Sequence, residues 1–140
     1  MEKKVHPEIR GIQHVGIPVT DIRVSEGFYR KLGFSNIMES DFKSNGEQGV
    51  AIMMERNGVV VELYQMPEKE LQEIRERGNG HIDHIAFDVP DINAAFNSLK
   101  NQGFSIEDRE PVFLHFWEKG CRYFTIIGPD KERLEFNQIL

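Results

Sequence analysis

The chain has 140 residues, of which 39% are hydrophobic and 29% charged, as is typical of a globular domain. Its formal net charge of −6 argues against a nucleic-acid partner, because phosphate binding requires clustered lysines and arginines. No apolar run approaches the roughly 20 residues that span a bilayer, and the sequence shows neither a signal peptide's apolar segment nor paired cysteines. We therefore expect a cytoplasmic protein with neither a nucleic-acid nor a membrane partner.

An internal repeat organises the chain. Residues 12–22 (IQHVGIPVTDI) recur 70 positions later as residues 82–92 (IDHIAFDVPDI), with five identities in eleven positions. Chance predicts roughly one identity in fifteen positions from average residue usage. The sequence therefore predicts two copies of one structural module.

The first copy begins with a strand at 11–19, followed by Asp21, a suitable helix N-cap. Apolar residues then recur at helical spacing, and Gly33 follows where a helix C-terminal glycine belongs. Asn57-Gly58 suits a tight hairpin turn. The periodic apolar residues are Val24, Phe28, Tyr29 and Leu32, and the further predicted strands are 35–42, 48–55 and 59–66.

The second copy follows the same order. A strand at 82–89 leads to Asp91, and Gly103 follows a second run of apolar residues at helical spacing. A turn is predicted at 128–130, Gly-Pro-Asp. The periodic residues are Ile92, Ala95, Phe96 and Leu99, and the further predicted strands are 104–109, 122–127 and 133–139.

The domain organisation follows from the two copies and the segments around them. A charged stretch after the first copy mixes both signs at helical spacing, which indicates a solvated linker helix. The predicted parts are an arm at 1–10, a βαβββ module at 11–66, a linker at 67–80 and a second βαβββ module at 81–140.

Polar residues occur at matching places in four of these strands. Because side chains alternate between the two faces of a strand, His14 lies opposite Val15 and Ile17. The last strands, VVVELYQ and ERLEFNQ, also match, with glutamate in the middle of each. The four polar residues set against apolar faces are His14, Glu62, His84 and Glu135.

This residue set predicts a metal site. A buried carboxylate requires a charged partner, hydrogen bonds or a proton. Two imidazoles and two carboxylates meet that requirement most simply around one divalent ion. The donor set suits a six-coordinate first-row ion such as Ni²⁺, Co²⁺, Mn²⁺, Fe²⁺ or Zn²⁺.

The stretches QHVGIPV, VVVELYQ, DHIAFDV and RLEFNQ resemble the vicinal-oxygen-chelate superfamily over roughly 11–139. Within it, the polar set resembles that of glyoxalase I, whose metal ligands map onto His14, Glu62, His84 and Glu135. The resemblance implies an α+β fold in which two tandem βαβββ modules form an eight-stranded open cleft around the metal, commonly in a homodimer.

The resemblance also implies an activity, that of a metal-dependent isomerase or lyase similar to lactoylglutathione lyase. In such enzymes a glutamate, here Glu62 or Glu135, moves a proton next to a carbonyl while the metal stabilises the enediolate. The implied substrate is a small molecule such as a 2-oxoaldehyde–thiol adduct. Residues 16–19 and 64–67 lack the arginine and asparagine with which that family holds glutathione, so the thiol is left open.

The segment 110–121 has no counterpart in the first copy and is predicted to be a long loop, where specificity residues often collect. Its aromatic residues could contact the substrate or only anchor the loop. An arginine just after it could attract an anionic group or pair with a surface carboxylate. The candidate pocket residues are Tyr64, Phe113, His115, Trp117 and Arg122.

Three other functions of the same superfamily stay open. An acyl-CoA epimerase, such as one acting on methylmalonyl-CoA, shares the proton chemistry but usually has glutamine at the position of Glu62. Ring-cleaving dioxygenases and antibiotic-modifying thiol transferases typically use three protein ligands, so Glu62 argues against both. Non-catalytic drug-binding proteins of the bleomycin-resistance type lack the metal ligands.

Overall fold

The computed structural model describes residues 6–77, 82–127 and 133–140. The chain divides into two compact units, one of His14–Asp83 and one of Met1–Gln13 with His84–Leu140. Within the described residues there are eight strands and three α-helices, in the order βαβββ, a short helical linker, then βαβββ. The predicted α+β fold with two βαβββ modules is confirmed.

The elements of the first module are β1 (Gly11–Pro18), α1 (Ile22–Lys31), β2 (Ser35–Ser44), β3 (Glu47–Arg56) and β4 (Val59–Gln65). The first and last of these strands pair in parallel. β1 is parallel to β4, and β3 is antiparallel to both β2 and β4, in the spatial order β2-β3-β4-β1. A 3₁₀ turn (Glu68–Glu70) and helix α2 (Leu71–Arg75) follow.

The elements of the second module are β5 (His84–Asp88), α3 (Ile92–Asn101), β6 (Val112–Leu114), β7 (Cys121–Ile127) and β8 (Arg133–Ile139). They repeat the pattern of the first module. β5 is parallel to β8, and β7 is antiparallel to both β6 and β8, in the spatial order β5-β8-β7-β6. The register repeats as well, because Gly16 pairs with Glu62 in the first module and Ala86 pairs with Glu135 in the second.

Both long helices begin at the predicted aspartates. The Asp21 carboxylate accepts from the backbone N–H groups of Arg23 and Val24, and the Asp91 carboxylate accepts from that of Ala94. Each cap satisfies donors that a helix N-terminus otherwise leaves without partners.

A matching glutamine in each last strand also holds a helix N-terminus. Gln65 Oε1 accepts from the backbone N–H of Ile22 at 2.9 Å, and Gln138 Oε1 accepts from that of Ile92 at 2.9 Å. This contact gives a structural role to the glutamines that match in the repeat, and it ties each helix to the strand that carries the module's glutamate.

Each unit has its own apolar core, but the two helices contribute to it differently. All four periodic apolar residues of α3 are buried. In α1, by contrast, Val24 and Phe28 are 69% and 58% exposed, as is the C-cap Leu32 at 51%, while Ile22 and Glu26 are the buried residues of the helix. The apolar stripe predicted on α1 therefore exists, but most of it faces outward.

The prediction of a strand at 104–109 is wrong. Only Ile106 forms an isolated bridge there, and the strand that pairs with β7 is β6, within the segment predicted to be a loop. The reason is a contact with a residue distant in sequence, because the Asp108 carboxylate accepts from the backbone N–H of Thr125 at 2.9 Å. A side chain thus takes the place that a neighbouring strand's carbonyl would occupy. Burial raises the pKa of Asp108, although the Thr125 N–H opposes this shift.

The predicted Asn57-Gly58 turn is confirmed, with φ of 51° and 83° at its two residues, as a tight hairpin requires. The turn predicted at 128–130 lies outside the described residues. No helix in the described part of the chain is long and apolar enough to cross a membrane.

Candidate metal centre

The first module buries a histidine beside a glutamate. His14 on β1 is 2% exposed and Glu62 on β4 is 8% exposed. His14 Nε2 and Glu62 Oε1 lie 3.8 Å apart. The parallel pairing of β1 with β4 brings them together, since the partner of Glu62 in the register is Gly16, two residues after His14 and on the same face.

The second module buries an equivalent pair. His84 on β5 and Glu135 on β8 are each 9% exposed, and His84 Nε2 lies 3.6 Å from Glu135 Oε1. Glu135 is further held by Asn137, whose Nδ2 donates to Glu135 Oε2 at 3.0 Å. The same local architecture thus produces the same pair of side chains twice.

The spacing within each pair suits ligands of a metal ion. The nitrogen–oxygen distances of 3.6 and 3.8 Å exceed the ~2.7–3.2 Å of a direct N–H···O hydrogen bond. Two ligand atoms about 2.1 Å from one ion lie roughly 3.0–4.2 Å apart, depending on the angle at the metal. Each imidazole–carboxylate pair therefore has a separation compatible with both atoms binding one cation.

Each unit thus buries one imidazole and one carboxylate, His14 with Glu62 in one and His84 with Glu135 in the other. Nitrogen and carboxylate oxygen are donors that suit zinc and the other first-row divalent ions. The donor chemistry thus fits a divalent ion.

Of the residues predicted to contact a substrate, Tyr64 is half-buried on β4, with its ring 6.5 Å from that of Phe42. Phe113 on β6 is 47% exposed and makes an edge-to-face contact with the exposed ring of His115, at 4.9 Å between centroids. Arg122 on β7 donates to Asn93 Oδ1 on α3 at 3.1 Å. Among the described residues, this hydrogen bond of Arg122 goes to an amide oxygen and not to a carboxylate.

Trp117 has an unusual backbone and side chain. Its φ of 65° lies in the left-handed region, which non-glycine residues seldom occupy. Its indole Nε1 is buried and makes no hydrogen bond to the residues that the structure describes. A buried donor without a partner is costly, so such a group is a natural contact for an acceptor on a ligand.

The sequence did not point to two residues near this pair, namely Asn137, which contacts Glu135, and Gln13, which contacts Asn137. Asn137 is 2% exposed, and its Oδ1 accepts from Gln13 Nε2 at 2.9 Å. The position of each residue relative to a predicted ligand could have pointed to it. Asn137 stands two residues after a predicted ligand and so shares its strand face, and Gln13 immediately precedes another predicted ligand.

Known proteins resemble this one over nearly the whole chain. The uncharacterized protein YwbC of Bacillus subtilis (strain 168) is 32% identical over 129 residues, which cover 91% of this chain and 96% of that protein. The solved structure of the hypothetical protein BH1468 from Bacillus halodurans C-125 is 26% identical, with a TM-score of 0.75, and the match covers 92% of this chain and 94% of that one.

Methylmalonyl-CoA epimerase from Mycobacterium tuberculosis has the same TM-score of 0.75 at 20% identity, over 94% of this chain and 89% of that one. At that identity the likeness shows the fold alone. Residues 11–136 match the sequence profile of the Glyoxalase/Bleomycin resistance protein/Dioxygenase superfamily. Together with the βαβββ modules and their paired histidines and glutamates, this match shows that the chain belongs to the Glyoxalase/Bleomycin resistance protein/Dioxygenase superfamily.

Proposed function

We propose that this protein is a metal-dependent isomerase or lyase of the glyoxalase I type, which moves a proton next to a carbonyl group. The observation that carries the proposal is the duplicated buried pair, His14 with Glu62 at 3.8 Å and His84 with Glu135 at 3.6 Å. Burying two carboxylates is costly unless their charge is compensated. A divalent cation shared by the two pairs would provide that compensation.

The four side chains have distinct roles in this proposal. His14 and His84 supply neutral imidazole nitrogens, while Glu62 and Glu135 supply negative charge to hold the ion. A bound divalent ion supplies Lewis-acid stabilisation of negative charge that develops on substrate oxygens. Either glutamate is suited to take a proton from a carbon next to the carbonyl as a general base and return it to the adjacent carbon.

The remaining residues would select and orient the substrate. Trp117 offers an indole N–H that has no acceptor among the described residues, and Arg122 offers a cation for an anionic group. Tyr64, Phe113 and His115 add aromatic surface. We propose a 2-oxoaldehyde–thiol adduct or a related small molecule as substrate, and a homodimeric cytoplasmic enzyme.

An acyl-CoA epimerase is the second candidate function. It is favoured by the shared fold with methylmalonyl-CoA epimerase from Mycobacterium tuberculosis. Glu62 favours the glyoxalase type, because epimerases of this superfamily usually have glutamine at that position. Both reactions begin with the same removal of a proton next to a carbonyl, so the substrate distinguishes them.

The test is turnover of purified protein loaded with Ni²⁺ or Zn²⁺, assayed on methylglyoxal with several thiols and on methylmalonyl-CoA. The proposal predicts activity with a methylglyoxal–thiol adduct, which depends on the metal and is lost in His84→Ala. Turnover of methylmalonyl-CoA alone would favour the epimerase. Metal-independent activity, or metal-loaded protein inactive on both substrates, would contradict the proposal.

A further inference from the structure

The two oxygens of the Glu135 carboxylate face different partners. Oε1 lies 3.6 Å from His84 Nε2, whereas Oε2 accepts a hydrogen bond from Asn137 Nδ2 at 3.0 Å. Glu135 and Asn137 are two residues apart on β8, so their side chains share one face of the strand. One oxygen is therefore held by the protein, and the other is turned toward the histidine of the same module.

The orientation of the Asn137 amide is set by Gln13. Gln13 Nε2 donates to Asn137 Oδ1 at 2.9 Å and to the Asn137 backbone carbonyl at 3.1 Å. A backbone carbonyl only accepts, so Gln13 must present its NH₂ group at this point. Asn137 then has its oxygen toward Gln13, and its own NH₂ group is left to face Glu135.

Asp88 favours the same orientation of Gln13, because a carboxylate also only accepts hydrogen bonds. Its Nε2 also lies 3.5 Å from Asp88 Oδ1, and the Asp88 carboxylate forms an ion pair with Arg10 at 2.8 Å. Each link in this series has an assigned donor and acceptor. We call Arg10, Asp88, Gln13 and Asn137 the positioning network.

The first module does not repeat the last step of this network. In the match between the two last strands, Tyr64 takes the place of Asn137. A tyrosine carries no amide, and the Tyr64 ring packs edge-to-face against Phe42. The residue two positions after the glutamate is therefore tyrosine in the first module and asparagine in the second.

We propose that Asn137 is a positioning residue, which fixes Glu135 so that its Oε1 is the oxygen offered to the metal. This inference rests on the proposed function, because it assumes that Glu135 binds the ion. Residues that orient a ligand through a hydrogen bond typically contribute about 10–100-fold to metal affinity. Asn137 acts through Glu135 and does not itself bind the ion.

The test is Co²⁺ binding to metal-free protein, measured by calorimetry and by the visible absorption of bound Co²⁺, which reports the ligand geometry. Asn137→Ala should weaken binding by about 10–100-fold and change the absorption spectrum. Gln13→Met should weaken it in the same direction but less, since it removes the donor that orients Asn137. Gln13 is only partly buried, so this variant tests the network even if Asn137→Ala fails to fold.

Gln138→Ala is the matched control. It removes an amide from the next position of the same strand, where the side chain holds the N-terminus of α3. It should lower thermal stability but leave the Co²⁺ affinity and spectrum unchanged. Unchanged Co²⁺ binding in both Asn137→Ala and Gln13→Met would overturn this inference alone. Failure of the wild-type protein to bind Co²⁺ would overturn the proposed function and this inference with it.

Discussion

Glu26 should contribute to stability in a way that disappears in acid. It is a buried carboxylate on α1, 9% exposed, and it accepts hydrogen bonds from Asn36, Arg30 and Arg23. The hydrogen bond from Asn36 is the largest cause that lowers the pKa of Glu26 from 4.5 to about 2, and the hydrogen bonds from Arg30 and Arg23 add to it. Burial of the carboxylate opposes this shift. We choose Glu26→Gln as the perturbation, because it removes the charge and keeps the shape.

The magnitude follows from the shift in pKa. At ~1.4 kcal/mol per pKa unit, a fall from 4.5 to about 2 corresponds to about 3 kcal/mol of unfolding free energy. The guanidinium groups of Arg23 and Arg30 are largely exposed, so solvent screening reduces this to roughly 2 kcal/mol. For 140 residues, that is a fall in Tm of roughly 7 °C at neutral pH.

The sign of the pH dependence is fixed. Because the pKa of Glu26 is lower in the folded state, the stability that Glu26 contributes is fully present above about pH 4.5 and is lost as the pH falls through about 2. Thermal unfolding of wild type and Glu26→Gln between pH 7 and pH 2 should show a Tm difference that closes in acid. Glu39→Gln, at a more exposed partner of Arg23, should show a smaller difference.

A difference between wild type and Glu26→Gln that stays constant from pH 7 to pH 2 would refute this reasoning. So would a variant that is more stable than wild type at neutral pH.

Three further results are expected. Glu135→Gln should abolish turnover of metal-loaded protein while the circular dichroism spectrum stays that of wild type; full activity would remove Glu135 from the chemistry. Gln65→Ala should lower the free energy of unfolding by about 1 kcal/mol in urea, because the N–H of Ile22 loses its acceptor. Arg122→Ala removes only an exposed contact with Asn93, so the free energy of unfolding should change by less than about 0.5 kcal/mol. The KM of this variant should rise, because a cation for the substrate is lost; an unchanged KM would exclude Arg122 from the substrate site.

The duplicated modules were predictable because the repeat and strand alternation both depend on residues near in sequence. Matching His14 with His84 and Glu62 with Glu135 needs only an offset and a two-residue period. The structure then pairs the strands in the same register in both modules. Local pattern was sufficient wherever the chain repeated itself.

Prediction failed where a partner distant in sequence decides the outcome. Helical periodicity identified the apolar residues of α1 but not the direction they face, and Phe28 is 58% exposed while Glu26 is buried. The strand expected at 104–109 does not form, because the Asp108 side chain accepts the hydrogen bond from the backbone N–H of Thr125. The contact between Gln13 and Asn137 spans 124 residues of sequence, so no local pattern reveals it.

Metal stoichiometry tests the central claim most directly. Metal-free protein should bind one divalent ion per chain, and His14→Ala and His84→Ala should each reduce the affinity for that same ion, since both modules supply donors to it. Two independent ions per chain would contradict the account, as would one ion whose affinity responds to only one of these two variants.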